Sequence, residues 1–395
     1  MSPGASGARQ TIRFNRSDMS YIVSTMESRT RVAVLFGGRS AEHEVSLQSA
    51  RNVMNVLSPD KFDIVPIGID RSGRWYLDTN AVGMLDRNGE EPREISASSQ
   101  EVTLAPAGEN RELIDVTSRT SLGSVDVIFP VLHGPFGEDG SVQGLAKLAN
   151  LPCVGSGILG SAVSMDKDVM KRLLRDADVP IVDFAVYRTE EAAAADYEAV
   201  VERLGKTLFV KPANLGSSVG VSRTHNRATY EEAIHLAFQF DTKVIVEKEI
   251  RGRELEVSVL GNEAPVASLP GEIVPQDGFY SYEAKYVNEN GAALVIPAEV
   301  PPTLAETLTR MAVESFQALE CRGMARVDFL MEVDGHAYVN EVNTIPGFTA
   351  ISMYPKLWEV SGIPYPELVE RLISLAQEDF ERTHHLRIDP NVDRS

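Results

Sequence analysis

The chain has 395 residues, 24% charged and 43% hydrophobic, the composition of an ordinary globular protein with room for two or three domains. Against 38 Lys and Arg stand 57 Asp and Glu, a formal net charge of −19, which argues against nucleic acid or an anionic membrane as main partner. Cys153 and Cys321 are the only cysteines and lack metal-ligand spacing, so neither a disulfide framework nor a zinc site is expected and a reducing cytoplasm is the expected compartment. No apolar run approaches the ~20 residues that span a bilayer.

Residues 1–30 are polar and rich in Ser and Arg, and read as a disordered extension, with Met26 as an alternative start. An apolar run from Arg31 ends in Gly37-Gly38, and helical periodicity follows from Ala41 to Leu57. A second strand is expected over Phe62 to Ile69, and a later one over Val125 to Leu132, running into a Gly-rich loop from His133 to Gly140. This is an open, parallel α/β domain over 31–165, with both loops at strand C-terminal ends, where such sheets bind ligands. The polar stretch 78–122 reads as a peripheral insertion. A helix from Lys167 to Asp176 opens a central α+β domain expected over 166–243. A C-terminal domain is expected over 244–382, with helices near Thr303 to Leu319 and Tyr365 to Glu381, and 383–395 is a loose tail.

Within the central domain, the segment from Leu208 to Val221 is a strand, a small-residue loop and another strand. Its glycines permit close backbone approach, Ser217 and Ser218 can hydrogen-bond phosphate oxygens, and Lys211 adds a charge. A tight hairpin without a ligand fits the same residues. The run Val244 to Ile250 turns polar at its end and is followed by Glu254. Backbone groups at Lys248 to Ile250 could bond an adenine edge, with Glu247 and Glu254 nearby, although exposed edge-strand charges fit as well.

The most telling segment is Met324 to Asn343, which reads as a hairpin about a two-residue Asp334-Gly335 turn. Counting outward pairs Asp328 with Glu341 and Arg326 with Asn343, all four on one face. Facing carboxylates repel, and a Mg²⁺ ion would reverse that penalty. The hairpin thus reads as the metal floor of a phosphoryl-transfer site, with a solvated polar face as the alternative.

Lys167, Lys211 with its Gly-Ser-Ser loop, Glu247 to Ile250, Glu254, Arg326, Asp328, Glu341 and Asn343, in that order, resemble the ATP-grasp superfamily. Four motifs bring the resemblance closer to the D-alanine:D-alanine ligase family: Gly37 to Ser46 (GGRSAEHEVS), His133 to Gly140 (HGPFGEDG), Tyr282 to Tyr286 (YEAKY) and Asn340 to Thr349 (NEVNTIPGFT). The resemblance implies three domains, with ATP clamped between the central and C-terminal ones. It implies that Lys167, Lys211, Ser217, Ser218 and Lys285 meet the ATP phosphates, that Glu247, Lys248, Ile250 and Glu254 surround adenine and ribose, and that Asp328, Glu341 and Asn343 hold two Mg²⁺, with Mn²⁺ as a substitute. Glu42 and His133 would hold the first D-alanine, and Ser352 and Met353 would contact the second, where many relatives have Leu at the latter position. Arg326 and the Gly347 N–H would stabilise the tetrahedral intermediate. A loop over 278–291 would close the site, Tyr286 joining Glu42 and Ser217. The implied reaction is ATP-dependent synthesis of D-alanyl-D-alanine for peptidoglycan through an acyl phosphate, by a cytoplasmic homodimer. The alternatives are a ligase using D-lactate as second substrate, against which the Tyr286 loop argues, and a silent nucleotide-binding protein.

Overall fold

The computed structural model describes residues 29–77, 100–106, 111–190, 195–275 and 292–386. The expectations for 1–28, for the whole 278–291 loop with Lys285 and Tyr286, and for 387–395 lie outside these residues.

The first sheet has the order β6-β5-β4-β3-β2-β1-β7. β1 (Thr30–Gly37) lies parallel to β2 (Phe62–Ile69) on one side and to β7 (Val127–Pro130) on the other. These three strands are nearly continuous apolar runs because both faces are covered. Helix α1 (His43–Val56) joins β1 to β2. β3 (Trp75–Leu77), β4 (Gln100–Leu104), β5 (Glu112–Asp115) and β6 (Ser121–Ser124) continue the sheet antiparallel. The segment read as a peripheral insertion therefore supplies sheet strands, and Val102, Leu104 and Leu113 are buried in the core. Its polar outer face hid strands that bury only alternate residues. Helices α2 (Ser141–Leu148) and α3 (Ile158–Met165) follow β7.

Helix α4 (Lys167–Asp176) begins at Asp166, whose side chain accepts the Val169 N–H, a cap of the kind that contributes about 1 kcal/mol. It buries Lys167, Asp168, Met170, Lys171 and Leu174, one face at helical spacing. The second sheet is antiparallel, with order β10-β9-β11-β8: β8 (Phe184–Arg188), β9 (Leu208–Pro212), β10 (Ser222–Thr224) and β11 (Lys243–Lys248). Helices α5 (Tyr197–Leu204) and α6 (Arg227–Ala237) pack on it around Tyr230. Since β11 pairs with both β8 and β9, the chain leaves this sheet after Lys248 and not at the boundary expected at 243.

The third sheet runs β15-β14-β12-β16-β17: β12 (Gly252–Gly261), with β13 (Val266–Ala267) beside it, β14 (Gly271–Pro275), β15 (Ala292–Val295), β16 (Gly323–Glu332) and β17 (Ala337–Asn343). Helix α7 (Pro302–Ala318) covers one face through Leu308, Met311, Ala312 and Phe316. Helices α8 (Met353–Val360) and α9 (Tyr365–His384) close the chain, and α9 carries the helix past the end expected at Glu381. Their apolar faces share a core with β1, β7 and α1, where the Phe129 and Phe348 rings meet edge to face, 6.1 Å apart at 82°. The last helices thus fasten the third sheet's loops onto the C-terminal ends of β1 and β7.

Candidate active site

Across β16 and β17, Asp328 stands opposite Glu341 and Arg326 opposite Asn343, as counted from the sequence. The route to that register differs from the expectation. The turn has three residues, 333–335, with Gly335 at φ 92° and the Glu332 N–H bonded to the His336 carbonyl at 2.8 Å. Phe329 therefore pairs with Val339, and a bulge at Asn340 restores the expected pairing one step later. The bulged Asn340 points its Oδ1 at Lys211 Nζ, 3.2 Å away, so the irregularity links the floor to the second sheet.

A third carboxylate extends the row. Glu256 on β12 lies opposite Asp328, buried, with Oε2 3.0 Å from Arg326 Nε. Arg326 also grips Asp328 with two bonds of 2.7 Å, and Asn343 Nδ2 donates to Asp328 Oδ2 at 3.0 Å. Burial opposes the guanidinium charge, but Asp328 and then Glu256 raise its pKa well above the ordinary value. Glu256 was not singled out from the sequence. Its alternation with Glu254 and Ser258 along one strand face was the available signal.

Two lysines come close to this row. Lys167 Nζ, from the first turn of α4, lies 3.3 Å from Glu341 Oε2 and donates to the Leu215 carbonyl at 2.8 Å. Lys211, on β9, lies 2.6 Å from Glu247 Oε2. The loop after β9 puts Ser217 and Ser218 consecutively at φ 54° and 58°, a left-handed backbone that costs about 1–2 kcal/mol per non-glycine residue. That conformation turns the Ser217 hydroxyl onto Glu42 Oε1, where it donates a hydrogen bond. Glu42 is also crowded by Gly134, whose Cβ, were there one, would stand 3.0 Å from Oε2. Two members of the expected Glu42, Ser217 and Tyr286 set are thus in contact. Lys248, Ile250 and Glu254 lie where the chain crosses from the second sheet to the third, Lys248 Nζ being 3.3 Å from Glu332 Oε1.

His133 and Glu138 bind the Gly-rich loop after β7 to the segment 345–349. His133 Nδ1 lies 3.0 Å from the Ile345 carbonyl, and the Ile345 N–H donates to Glu138 Oε1 at 3.1 Å. A carbonyl can only accept, so Nδ1 carries the proton. Nε2 then accepts from the Ser49 hydroxyl at 3.2 Å. Burial pushes the His133 pKa down, in keeping with this neutral tautomer. The buried Glu138 carboxyl is pushed up to about 8, first by desolvation and then by Glu42. Ser49 Oγ also accepts the Phe348 N–H at 3.1 Å, and the Phe348 carbonyl accepts from Asn52 at 3.0 Å and from Tyr365 at 3.1 Å. Gly347 has no room for a side chain, since a Cβ would lie 2.6 Å from Ser352 Oγ. Ser352 Oγ in turn accepts the Thr349 N–H at 2.9 Å. Met353, at the start of α8, is buried and packs with Ile273 and Leu357.

The donor set fits a hard divalent cation: Asp328, Glu341 and Asn343 are adjacent oxygen donors, and a half-turn of the Asn343 carboxamide exchanges its nitrogen for its oxygen. A separate cluster of Glu332, Asp334 and His336 sits on the exposed hairpin tip, away from the floor.

Comparison with known proteins gives the decisive match: residues 31–156 fit the D-ala D-ala ligase N-terminus and residues 173–374 the D-ala D-ala ligase C-terminus. The chain belongs to the D-alanine–D-alanine ligase family. It is 48% identical over 360 residues to the D-alanine–D-alanine ligase of Shouchella clausii, covering 91% of this chain and 98% of that one. With D-alanine–D-alanine ligase A of Salmonella typhimurium it shares 49% over 362 residues, 91% and 99% of the two chains. The solved D-alanine-D-alanine ligase from Coxiella burnetii superposes with a TM-score of 0.80 at 37% identity, over 90% of this chain and 96% of that one. The VanG D-Ala:D-Ser ligase from Enterococcus faecalis superposes at 0.78 with 34% identity, over 88% and 99%. The three sheets are thus those of an ATP-grasp ligase, and the open first sheet, parallel at β2, β1 and β7, is its N-terminal unit.

Proposed function

We propose that this protein joins two D-alanine molecules at the expense of ATP, making the dipeptide that peptidoglycan precursors require. The observation that carries the reading is the row of Asp328 and Glu341 with Arg326 beside it, flanked by Lys167 and Lys211.

In this reading Lys167, Lys211, Ser217 and Ser218 hold the ATP phosphates, with Lys285 from the closing loop, while Lys248, Ile250 and Glu254 line the adenine and ribose. Glu42 takes the ammonium of the first D-alanine, and the clamped His133 keeps that pocket in shape. A carboxylate oxygen of the first D-alanine attacks the γ-phosphorus and ADP leaves, giving an acyl phosphate. The amine of the second D-alanine, placed by the 347–353 segment with Ser352, then attacks the carbonyl carbon. Arg326 and the Gly347 N–H stabilise the oxyanion, and inorganic phosphate departs with the oxygen it acquired. Asp328, Glu341 and Asn343 would hold Mg²⁺ ions, which offset phosphate charge when bound. Closure of the loop bearing Tyr286 shields the acyl phosphate from water.

We place the reaction in the cytoplasm, where ATP is made, and in a homodimer. Among the described residues no helix is long and apolar enough to cross a membrane.

The direct test supplies Mg·ATP and D-alanine, then L-alanine, D-alanine with D-serine, and D-alanine with D-lactate, reading ADP release and product mass. D-alanyl-D-alanine from D-alanine alone, preferred over mixed products in the competitions, is expected. Preferential formation of a mixed product would reassign the second substrate. No ADP release from folded protein that binds ATP would support a silent nucleotide-binding protein.

A further inference from the structure

One turn beyond Lys167, helix α4 carries a lysine that none of these roles uses. The Lys171 side chain is fully buried, with Nζ 2.8 Å from Glu247 Oε1 and 5.8 Å from the centre of the Phe184 ring. Glu247 is itself buried, and its other oxygen lies 2.6 Å from Lys211 Nζ. The three side chains come from α4, β11 and β9, so the triad ties the helix bearing Lys167 to the two strands beneath the phosphate loop.

The charges of this triad pose a problem that its third member solves. Glu247 orients Lys211, yet a carboxylate so close would cancel the lysine charge that a phosphate needs to meet. With two ammonium groups to one carboxylate, the triad keeps a single net positive charge. We propose that Lys171 is a positioning residue for the nucleotide: it occupies one oxygen of Glu247, leaves the other to fix Lys211, and keeps the potential at Lys211 positive toward the ATP phosphates. The inference rests on Lys211 contacting ATP, as proposed above.

At Glu247 and Lys211 the electrostatics favour the charged forms. Desolvation disfavours the Glu247 carboxylate, but Lys171 and then Lys211 more than offset it and hold the carboxyl down at about 2, so it is ionised at neutral pH. Burial likewise opposes the Lys211 charge, yet Glu247 raises its pKa above the ordinary value. Burial pushes the Lys171 pKa down against the pull of Glu247. A role in packing alone would not require the charge, since buried ion pairs are often replaced by apolar groups without loss of stability.

The test is Mg·ATP affinity, measured by calorimetry on the full chain and on Lys171→Met, Lys171→Gln and Lys171→Arg, each checked for folding by thermal melting. Lys171→Met makes the triad neutral and is expected to weaken Mg·ATP binding about tenfold, the scale of one charge acting across several ångströms of protein interior. Lys171→Arg keeps the charge, and Lys171→Gln removes it while keeping a hydrogen-bond donor for Glu247. Lys171→Arg is expected within about threefold of the unmodified protein and Lys171→Gln as weak as Lys171→Met, with the KM for D-alanine moved less than the KM for ATP. Wild-type affinity in folded Lys171→Met or Lys171→Gln, or a folded Lys171→Arg as weak as either, would overturn the proposal. If Lys171→Met does not fold, Lys171→Gln decides: a tenfold loss supports the proposal and retained affinity contradicts it. Failure of the unmodified protein to bind Mg·ATP would overturn the nucleotide reading itself and this inference with it.

Discussion

Arg326 is held between Asp328 and Glu256 by Nε and Nη2, so its planar fork is aimed by two carboxylates on neighbouring strands. A lysine at this position keeps the charge and loses the fork. Arg326→Lys is expected to lower kcat by about 100-fold or more, the loss typical of removing one oxyanion donor, with little change in Mg·ATP affinity. Steady-state kinetics with calorimetry separates the two effects. At Glu247 the consequence is pH dependence. Its folded pKa, about 2, lies below the ordinary value near 4.5, so between those values the unfolded chain binds more protons and stability falls as pH falls. Glu247→Gln removes that contribution, and its unfolding free energy is expected to fall less steeply than wild type from pH 4.5 toward 2. Equal slopes would contradict the ionised, doubly paired carboxylate. Arg326, Asp328, Glu341 and Asn343 were legible from the sequence because a hairpin converts spacing into facing pairs. Glu256 and Lys171 were not, since an alternating strand and a charged helix look alike whether their polar residues face solvent or a partner.

The β16–β17 hairpin shows how an element can be read correctly through a wrong intermediate. The three-residue turn shifts the register by one, and the Asn340 bulge shifts it back before Asp328 meets Glu341. Turn residues were visible in the sequence, whereas a bulge is set by tertiary demand, here a side chain aimed at Lys211. The same limit applies to β11, placed in the wrong unit because pairing partners distant in sequence leave no local mark. The loop 345–352 carries its own prediction. Gly347→Ala places a methyl group 2.6 Å from Ser352 Oγ, so either the turn carrying the N–H assigned to the oxyanion shifts or the Ser352 hydroxyl gives up its bond from the Thr349 N–H. A fall in kcat of about tenfold or more is expected with ATP affinity unchanged, and unaltered kcat would remove Gly347 from that role.

At the scale of the whole molecule, the site exists because the first sheet grips a loop of the third. Ser49, His133 and Glu138 fix Ile345 and Phe348, and the rings of Phe129, Phe348 and Tyr354 fill the joint behind them. Ser49→Ala leaves the buried Phe348 N–H without its acceptor and is expected to cost about 1–3 kcal/mol, read as a lowered melting temperature. The bonds and the Phe129–Phe348 pair across this joint link residues roughly two hundred or more apart in sequence, so motifs could name the parts while the joint between them stayed invisible. The central claim is that ATP activates a carboxylate at this joint, and isotope transfer tests it most directly. With D-alanine carrying ¹⁸O in its carboxylate, the account predicts one ¹⁸O in each inorganic phosphate released alongside dipeptide. Phosphate free of ¹⁸O, with ADP still formed, would mean that water and not the carboxylate attacked the γ-phosphorus, and would contradict it.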